Sequence, residues 1–271
     1  MSDAPHIENL LLIAVFGLFS VLLVVEKFRP YKKFAGAGLK ASFSTNASAF
    51  LINNVIMNLL SVSSLLVVAA NYSSHGLLSS LPDGPSKWIA SFVLFDFAVY
   101  AWHYLGHKSE ALWLFHKIHH SDKSFHVTTG LRFHVFDQLL EVIVKCVCAV
   151  LIGAPAHVVV SCEVARMFFV LFHHANITIP GERILSYFII TPSLHRAHHS
   201  TLRSEHDSNY GIVLSIWDII FGTRKVLTPK SIGLELIEAE NFIQLFSLAF
   251  LTERRLARIV HLVPRKSHSE A

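Results

Sequence analysis

Charge is scarce in this chain. Only 15% of its 271 residues are Asp, Glu, Lys or Arg, against about one quarter in an ordinary soluble domain. Hydrophobic residues make up 52% and the mean hydropathy is +0.49, which excludes a typical water-soluble surface and points to a bilayer. The basic residues form no stripe interleaved with aromatics, so the net charge of +4 suits a membrane surface and not nucleic acid. Cysteine is nearly absent. Cys146, Cys148 and Cys162 lie in apolar stretches without a C-x-x-C pair, which excludes a disulfide framework and an iron–sulfur pattern. There is no G-x-G-x-x-G nucleotide fingerprint and no H-E-x-x-H zinc-protease motif. The glutamates and Glu-x-x-His pairs of soluble di-iron bundles are missing too.

What the chain has instead is histidine, eighteen in all, gathered into clusters. His103 and His107 are four apart, and four residues advance a helix by about 400°, so both rings leave one face. "HKIHH" repeats the spacing with His116, His119 and His120, and "HRAHH" with His195, His198 and His199. Two imidazoles one turn apart chelate one metal. Lone histidines such as His75, His157 and His261 read as structural or solvated. Imidazole suits zinc, iron, copper and nickel. One zinc takes about four ligands, so eight to ten histidines are too many for a single ion and fit two.

The apolar runs predict an all-α integral membrane bundle with about four membrane-embedded helices, two spanning plus a helical hairpin, under a cytoplasmic histidine-rich helical cap. The first run is Asn9 to Val25, a retained anchor because no basic leader or cleavage site flanks it. The second covers about Ala47 to Ala70, and a third starts at Lys87 and ends in the first histidines. Val135 to Phe172 is broken at Gly153–Pro155 and reads as a hairpin. The segment organisation is 1–85 for the N-terminal membrane helices, 86–230 for the histidine-bearing domain and 231–271 for a C-terminal amphipathic helix and tail, with "ERRLAR" on its polar side. Lys27, Arg29, Lys32, Lys33 and Lys40 make the first loop basic, hence cytoplasmic by the positive-inside rule. That orientation brings every histidine cluster to the cytoplasmic face. Trp217, in "LSIWDIIFG", is expected at headgroup depth. With no ER-retention signal at the C-terminus, a bacterial inner membrane is expected, or the ER membrane if the chain is eukaryotic.

Six stretches carry a resemblance: "DFAVYAWHYLGH" from Asp96, "LWLFHKIHHSD" from Leu112, "TTGLRFH" from Thr128, "FHHANI" from Phe172, "TPSLHRAHHS" from Thr191 and "DSNYGIVLSIWDIIFGT" from Asp207. In this order the chain resembles the sterol desaturase and fatty acid hydroxylase superfamily of membrane di-iron oxidases over about residues 90–225. The resemblance implies two iron ions held by His103, His107, His116, His119, His120, His134, His174, His195, His198 and His199, with His173 the alternative to His174. It also implies O2 as co-substrate and hydroxylation or desaturation of a C–H bond of a membrane lipid: a sterol, a fatty acyl chain or a sphingoid-like base. Electrons would come from a separate ferredoxin- or cytochrome-type donor with its reductase. His126 stands where the family usually has asparagine, and Val135 and Asp137 replace its proline and glutamate.

Ligating imidazoles need an acceptor for the other ring N–H. Candidates beside the metal are His126, Asp96 (seven residues before His103), Asp122, Asp207, Asn209 and Asp218, with Asn176 in the matched "HHAN". A turn role for Asn209 and a cap or turn role for Asp218 are the competing readings. Arg132 is expected to clamp a ligand-bearing loop. Phe92, Phe95, Phe97, Phe168 and Phe169 are candidate substrate walls. Two other functional classes compete: a divalent-metal transporter, which would need ionisable groups along a mid-membrane path, and an inactive membrane scaffold.

Overall fold

The structure, a computed structural model, describes residues 4–60, 64–235, 239, 241–252 and 255. Among them lie twelve α-helices, one 3-10 turn and no strand beyond two isolated bridges. The long elements are α1 (Ala4–Phe28), α2 (Gly36–Leu59), α3 (Ser64–Tyr72), α4 (Pro85–Lys108), α5 (Glu110–His120), α6 (Val135–Ile152) and α7 (Ala156–His174). The rest are short: α8 (Glu182–Leu185), α9 (Pro192–His198), α10 (Arg203–His206), α11 (Ile216–Ile220) and α12 (Phe242–Leu248).

Local chemistry sets the boundaries. Pro85 opens α4, where a missing N–H costs nothing. The Ser109 hydroxyl caps α5 by accepting from the Leu112 N–H. Gly153 ends α6 at φ +74°, and Pro155 precedes α7, so the expected hairpin turns at "GAP". The second apolar run differs from expectation. It is two helices: α2 starts earlier, at Gly36, and α3 begins only at Ser64. Leu65 and Ala69 of α3 pack with Ala149, Ile152, Val158 and Val159 of the hairpin. Of the expected tail helix, the described residues include one short helix, α12, while "ERRLAR" apart from Arg255 lies outside the described residues.

Among the described residues, two helices are long and apolar enough to cross a membrane, α4 and α7. Their C-terminal ends meet at the histidines. The basic α1–α2 loop joins that end, because Asn176, just past α7, bonds both the N–H (3.1 Å) and the carbonyl (2.8 Å) of Lys32. The opposite end is closed by the 72–78 loop, whose Leu77 and Leu78 N–H groups donate to Leu151 and Ile152 carbonyls at 2.8 Å.

Candidate metal centre

Four helices deliver the histidines to one place. The last two turns of α4 carry His103 and His107, and α5 turns back at Ser109 with His116, His119 and His120. The end of α7 brings His173 and His174, and α9 brings His195 and His198 with His199 as its cap. The rings form two buried groups within which one nitrogen per residue lies within 4.8 Å of all the others. One group is His103, His107, His116, His120 and His198; the other is His119, His174, His195 and His199. The groups adjoin, with the His120 and His199 rings stacked at 4.4 Å.

Hydrogen bonds fix which nitrogens face inward. A backbone carbonyl only accepts, so a ring Nδ1 bonded to one must carry the proton, leaving Nε2 as a lone pair. This holds for His103 to Tyr210 O (2.7 Å), His198 to Ser208 O (2.6 Å), His119 to Arg132 O (3.2 Å) and His174 to Val170 O (2.7 Å). Yet the Nε2 atoms of His103 and His198 are 3.0 Å apart, and those of His119 and His174 3.1 Å. Two lone pairs cannot bond each other; a cation between them resolves the contact. Each group contains one such pair. Nitrogens about 2.0–2.1 Å from a shared metal lie about 2.9–3.4 Å apart, the spacing seen here. His195 Nε2 stands 2.9 Å from that of His174 and 3.2 Å from that of His199. The nitrogens of His107 and His120 and the Nε2 of His116 are buried without a hydrogen-bond partner. The donor set therefore fits two metal ions.

Protons are poor occupants of these gaps. Burial, then the neighbouring imidazoles, pushes His119, His120, His195 and His199 well below the ordinary histidine range, and His198 likewise. The rings are neutral near pH 7, the form that binds metal.

The positions of the histidines invite comparison with known proteins. The family model described as "Fatty acid hydroxylase" matches residues 88–223, just over half of the chain and the whole of both histidine groups. The chain belongs to the fatty acid hydroxylase family. It is 29% identical to ornithine lipid hydroxylase OlsE of Rhizobium tropici over 214 residues, 75% of this chain and 63% of that protein. It is 34% identical to human alkylglycerol monooxygenase over 155 residues, 56% of this chain and 34% of that one. Mouse cholesterol 25-hydroxylase is 31% identical over 160 residues, 54% and 50% of the two chains. The chain thus spans between about a third and just under two thirds of these relatives' length. No solved structure matches it significantly.

Of the ten ligands that the family resemblance implied, nine fall in the two groups. His134 does not. It caps α6 by accepting from the Phe136 N–H (3.2 Å), and its ring packs among Phe115, Phe136, Phe246 and Phe250. His173, the alternative, lies against the second group instead. Its ring is 3.9 Å from that of His195, its Nδ1 donates to Ile212 O (3.2 Å) and its Nε2 is buried and unbonded.

The expected neighbours separate in the same way. Asp207 lies 3.4 Å from His107 Nδ1. Asp96 touches no ligating ring, contrary to expectation. Its carboxylate accepts from the Val213 and Leu214 N–H groups (3.3 and 3.2 Å) and from the Trp217 indole (2.8 Å). Trp217 is consequently tied inward by its polar atom. Asp218 accepts from the Tyr210 and Gly211 N–H groups, both at 2.8 Å. Asn209, at φ +53°, bonds Leu194 O and Lys225 O. These three residues hold the 208–214 segment, whose alternate carbonyls, Ser208, Tyr210 and Ile212, receive His198, His103 and His173.

Asp122 and His126 meet away from the metal groups, around Ser42, Asn46, Thr128 and Thr129. Burial raises the Asp122 carboxyl, but Arg132 and the hydrogen bonds outweigh it and hold the group at about 2. Arg132 is buried and donates to Ile118 O (3.3 Å), Ser121 Oγ (3.0 Å) and Asn46 Oδ1 (3.0 Å). It ties the end of α5 to α2 through neutral oxygens, with no direct bond to a carboxylate.

Sequence reasoning missed Asp137, which accepts from His116 Nδ1 at 3.0 Å. It also missed His206, which stands with His107 and Asp207 in a third metal-capable group and donates Nδ1–H to Ser200 O (2.9 Å). The phenylalanines named as candidate substrate walls do not line the large apolar cavity. The large apolar cavity, about 460 Å³, lies among α1, α2 and α7 and is lined by Phe16, Phe19, Phe43, Phe50, Met167 and Leu171 among others. Phe92 and Phe95 line a separate small cavity, Phe97 stacks on Phe221 and Tyr100, and Phe168 and Phe169 pair with each other.

Proposed function

We propose that this chain is a membrane oxidoreductase that uses two iron ions and O2 to hydroxylate or desaturate a C–H bond of a lipid. The observation that carries this reading is the pair of facing Nε2 lone pairs in each buried group, set beside an apolar cavity. The family supports it, since the named relatives are lipid hydroxylases and monooxygenases.

The ligands would be His103, His107, His116, His120 and His198 for one ion and His119, His174, His195 and His199 for the other, with His173 adjoining the second. Iron bound there would supply O2 activation and the one-electron steps that an unactivated C–H bond requires. The chain's own part is positional. Carbonyls of Val170, Arg132, Ser208 and Tyr210 lock four rings in the tautomer that turns Nε2 inward, and Asp137 orients His116. Burial of every ligand excludes bulk water. The apolar cavity would take the lipid from the side, with its chain against the phenylalanines of α1 and α2.

A separate ferredoxin- or cytochrome-type donor with its reductase would deliver electrons. The basic loop shares the histidine end of the bundle, which supports a cytoplasmic site by the positive-inside rule. The membrane would be a bacterial inner membrane, or the ER in a eukaryote.

The test is to purify the chain in lipid nanodiscs, count iron, and supply reductant, donor and 18O2. About two irons per chain and 18O in a hydroxylated lipid are expected; desaturation would show as loss of two hydrogens. An iron-free protein, or an iron-loaded one that leaves every lipid unoxidised, ends the proposal.

A further inference from the structure

The helical hairpin carries four charged side chains where an apolar core is expected. Lys145 Nζ of α6 lies 2.7 Å from Glu163 Oε2 of α7 and 3.2 Å from Glu141 Oε1. Arg166 completes the ring, 3.2 Å from Glu163 and 3.5 Å from Glu141. Charges at this depth are costly and are kept where they do work on a ligand or pathway. As a brace between two helices the quartet would leave no polar atom over. It leaves one: Arg166 Nε is buried and makes no hydrogen bond, whereas Glu141 Oε1 is paired with Lys145 at 3.2 Å and with Arg166 at 3.5 Å.

Arg166 lines both the apolar cavity and the space at the histidines. Glu163 and Arg166 line the 460 Å³ apolar cavity. Both also line the adjoining space bounded by Phe133, Gln138 and Val170, as does Glu141. Arg166 and Glu141 then line the small chamber walled by the rings of His103, His116, His119, His173, His174 and His195. Arg166 thus lines all three spaces, from the apolar cavity to the histidine chamber.

We propose that the quartet is a recognition site for a neutral polar group on the lipid, a hydroxyl or amide, held next to the chamber where oxidation takes place. Two carboxylates and two cations cancel, so an ion gains nothing there. The leftover donor, Arg166 Nε–H, matches a neutral group that accepts one hydrogen bond. This assignment rests on the lipid-oxidase reading and narrows it to substrates with such a group close to the reacting carbon.

The test compares binding of hexadecanol and hexadecane to the full-length iron-loaded protein in nanodiscs. The wild type should bind hexadecanol at least about tenfold more tightly, the value of one buried charge-assisted hydrogen bond. Arg166→Lys keeps the charge and removes the Nε–H. Arg166→Met keeps the length and removes every donor. Each should reduce the preference to within about threefold while iron content stays at the wild-type level. Iron content reports whether a variant has folded, so either variant suffices if the other fails. Equal binding of the two probes by the wild type, or an undiminished preference in a folded variant, overturns the recognition site and leaves lipid oxidation standing. If the iron-loaded wild type binds neither probe, the lipid-oxidase reading falls as well.

Discussion

His103 and His198 face each other Nε2 to Nε2 at 3.0 Å while each ring donates its Nδ1–H to a backbone carbonyl. His119 and His174 repeat the arrangement at 3.1 Å. The two contacts lie in different groups, so they predict separable metal losses. His198→Ala should remove one ion per chain and His119→Ala the other, each with at least a 100-fold fall in activity, beyond the roughly 10- to 100-fold typical of residues that merely support a ligand. Metal analysis of the purified variants measures this. Full metal content in both would refute the two-group assignment.

Asp218 acts one step further out. It holds the Tyr210 and Gly211 N–H groups, and the Tyr210 carbonyl holds His103. Asp218→Asn replaces one carboxylate oxygen by a donor that faces an N–H, leaving a buried group unpaired at about 1–3 kcal/mol. Metal affinity at the His103 group should fall about tenfold, read by chelator competition, with the second group far less affected. An equal loss at both groups would mean general unfolding instead of a positional effect.

The packing of His134 among phenylalanines and of His173 against His195 sets up a direct contrast. His173→Ala should lower occupancy of the second group, whereas His134→Ala should keep both ions and lower the melting temperature through lost ring contacts and a lost α6 cap, about 1 kcal/mol for the cap alone. Iron per chain after gel filtration decides. Loss of an ion from His134→Ala would return that residue to the ligand set.

These contrasts show which parts of the centre could be read from sequence. The clustered histidines were legible because four-residue spacing puts His103 with His107, His116 with His120 and His195 with His199; that His119 and His198 each join the group opposite their neighbours was not. The carbonyls of Ser208, Tyr210 and Ile212 were not, because a backbone oxygen has no residue signature. Asp96 sits on nearly the same helix face as His103, as the seven-residue spacing implies, but the 213–217 segment reaches its carboxylate before any ring does. The hairpin was legible from Gly153 and Pro155. The cavity phenylalanines of α1 and α2 were not, since an apolar helix does not declare which side lines a cavity.

Gly153 provides a test of the scaffold apart from the metal centre. It sits at φ +74° at the end of the bundle opposite the histidines, where an added Cβ would collide with the carbonyl of His75. Its neighbour Gly76, at φ +104°, is equally confined, with a Cβ there falling 2.5 Å from the Gly153 nitrogen. Gly153→Ala therefore combines the left-handed backbone cost of about 1–2 kcal/mol with a clash against main chain that cannot swing aside. A clear fall in melting temperature is expected in nanodiscs, while the folded fraction keeps its full complement of metal, because the hairpin turn and the histidines occupy opposite ends of α6 and α7. Selective loss of metal without a change in melting temperature would show that the turn sets the geometry of the centre instead of the stability of the hairpin.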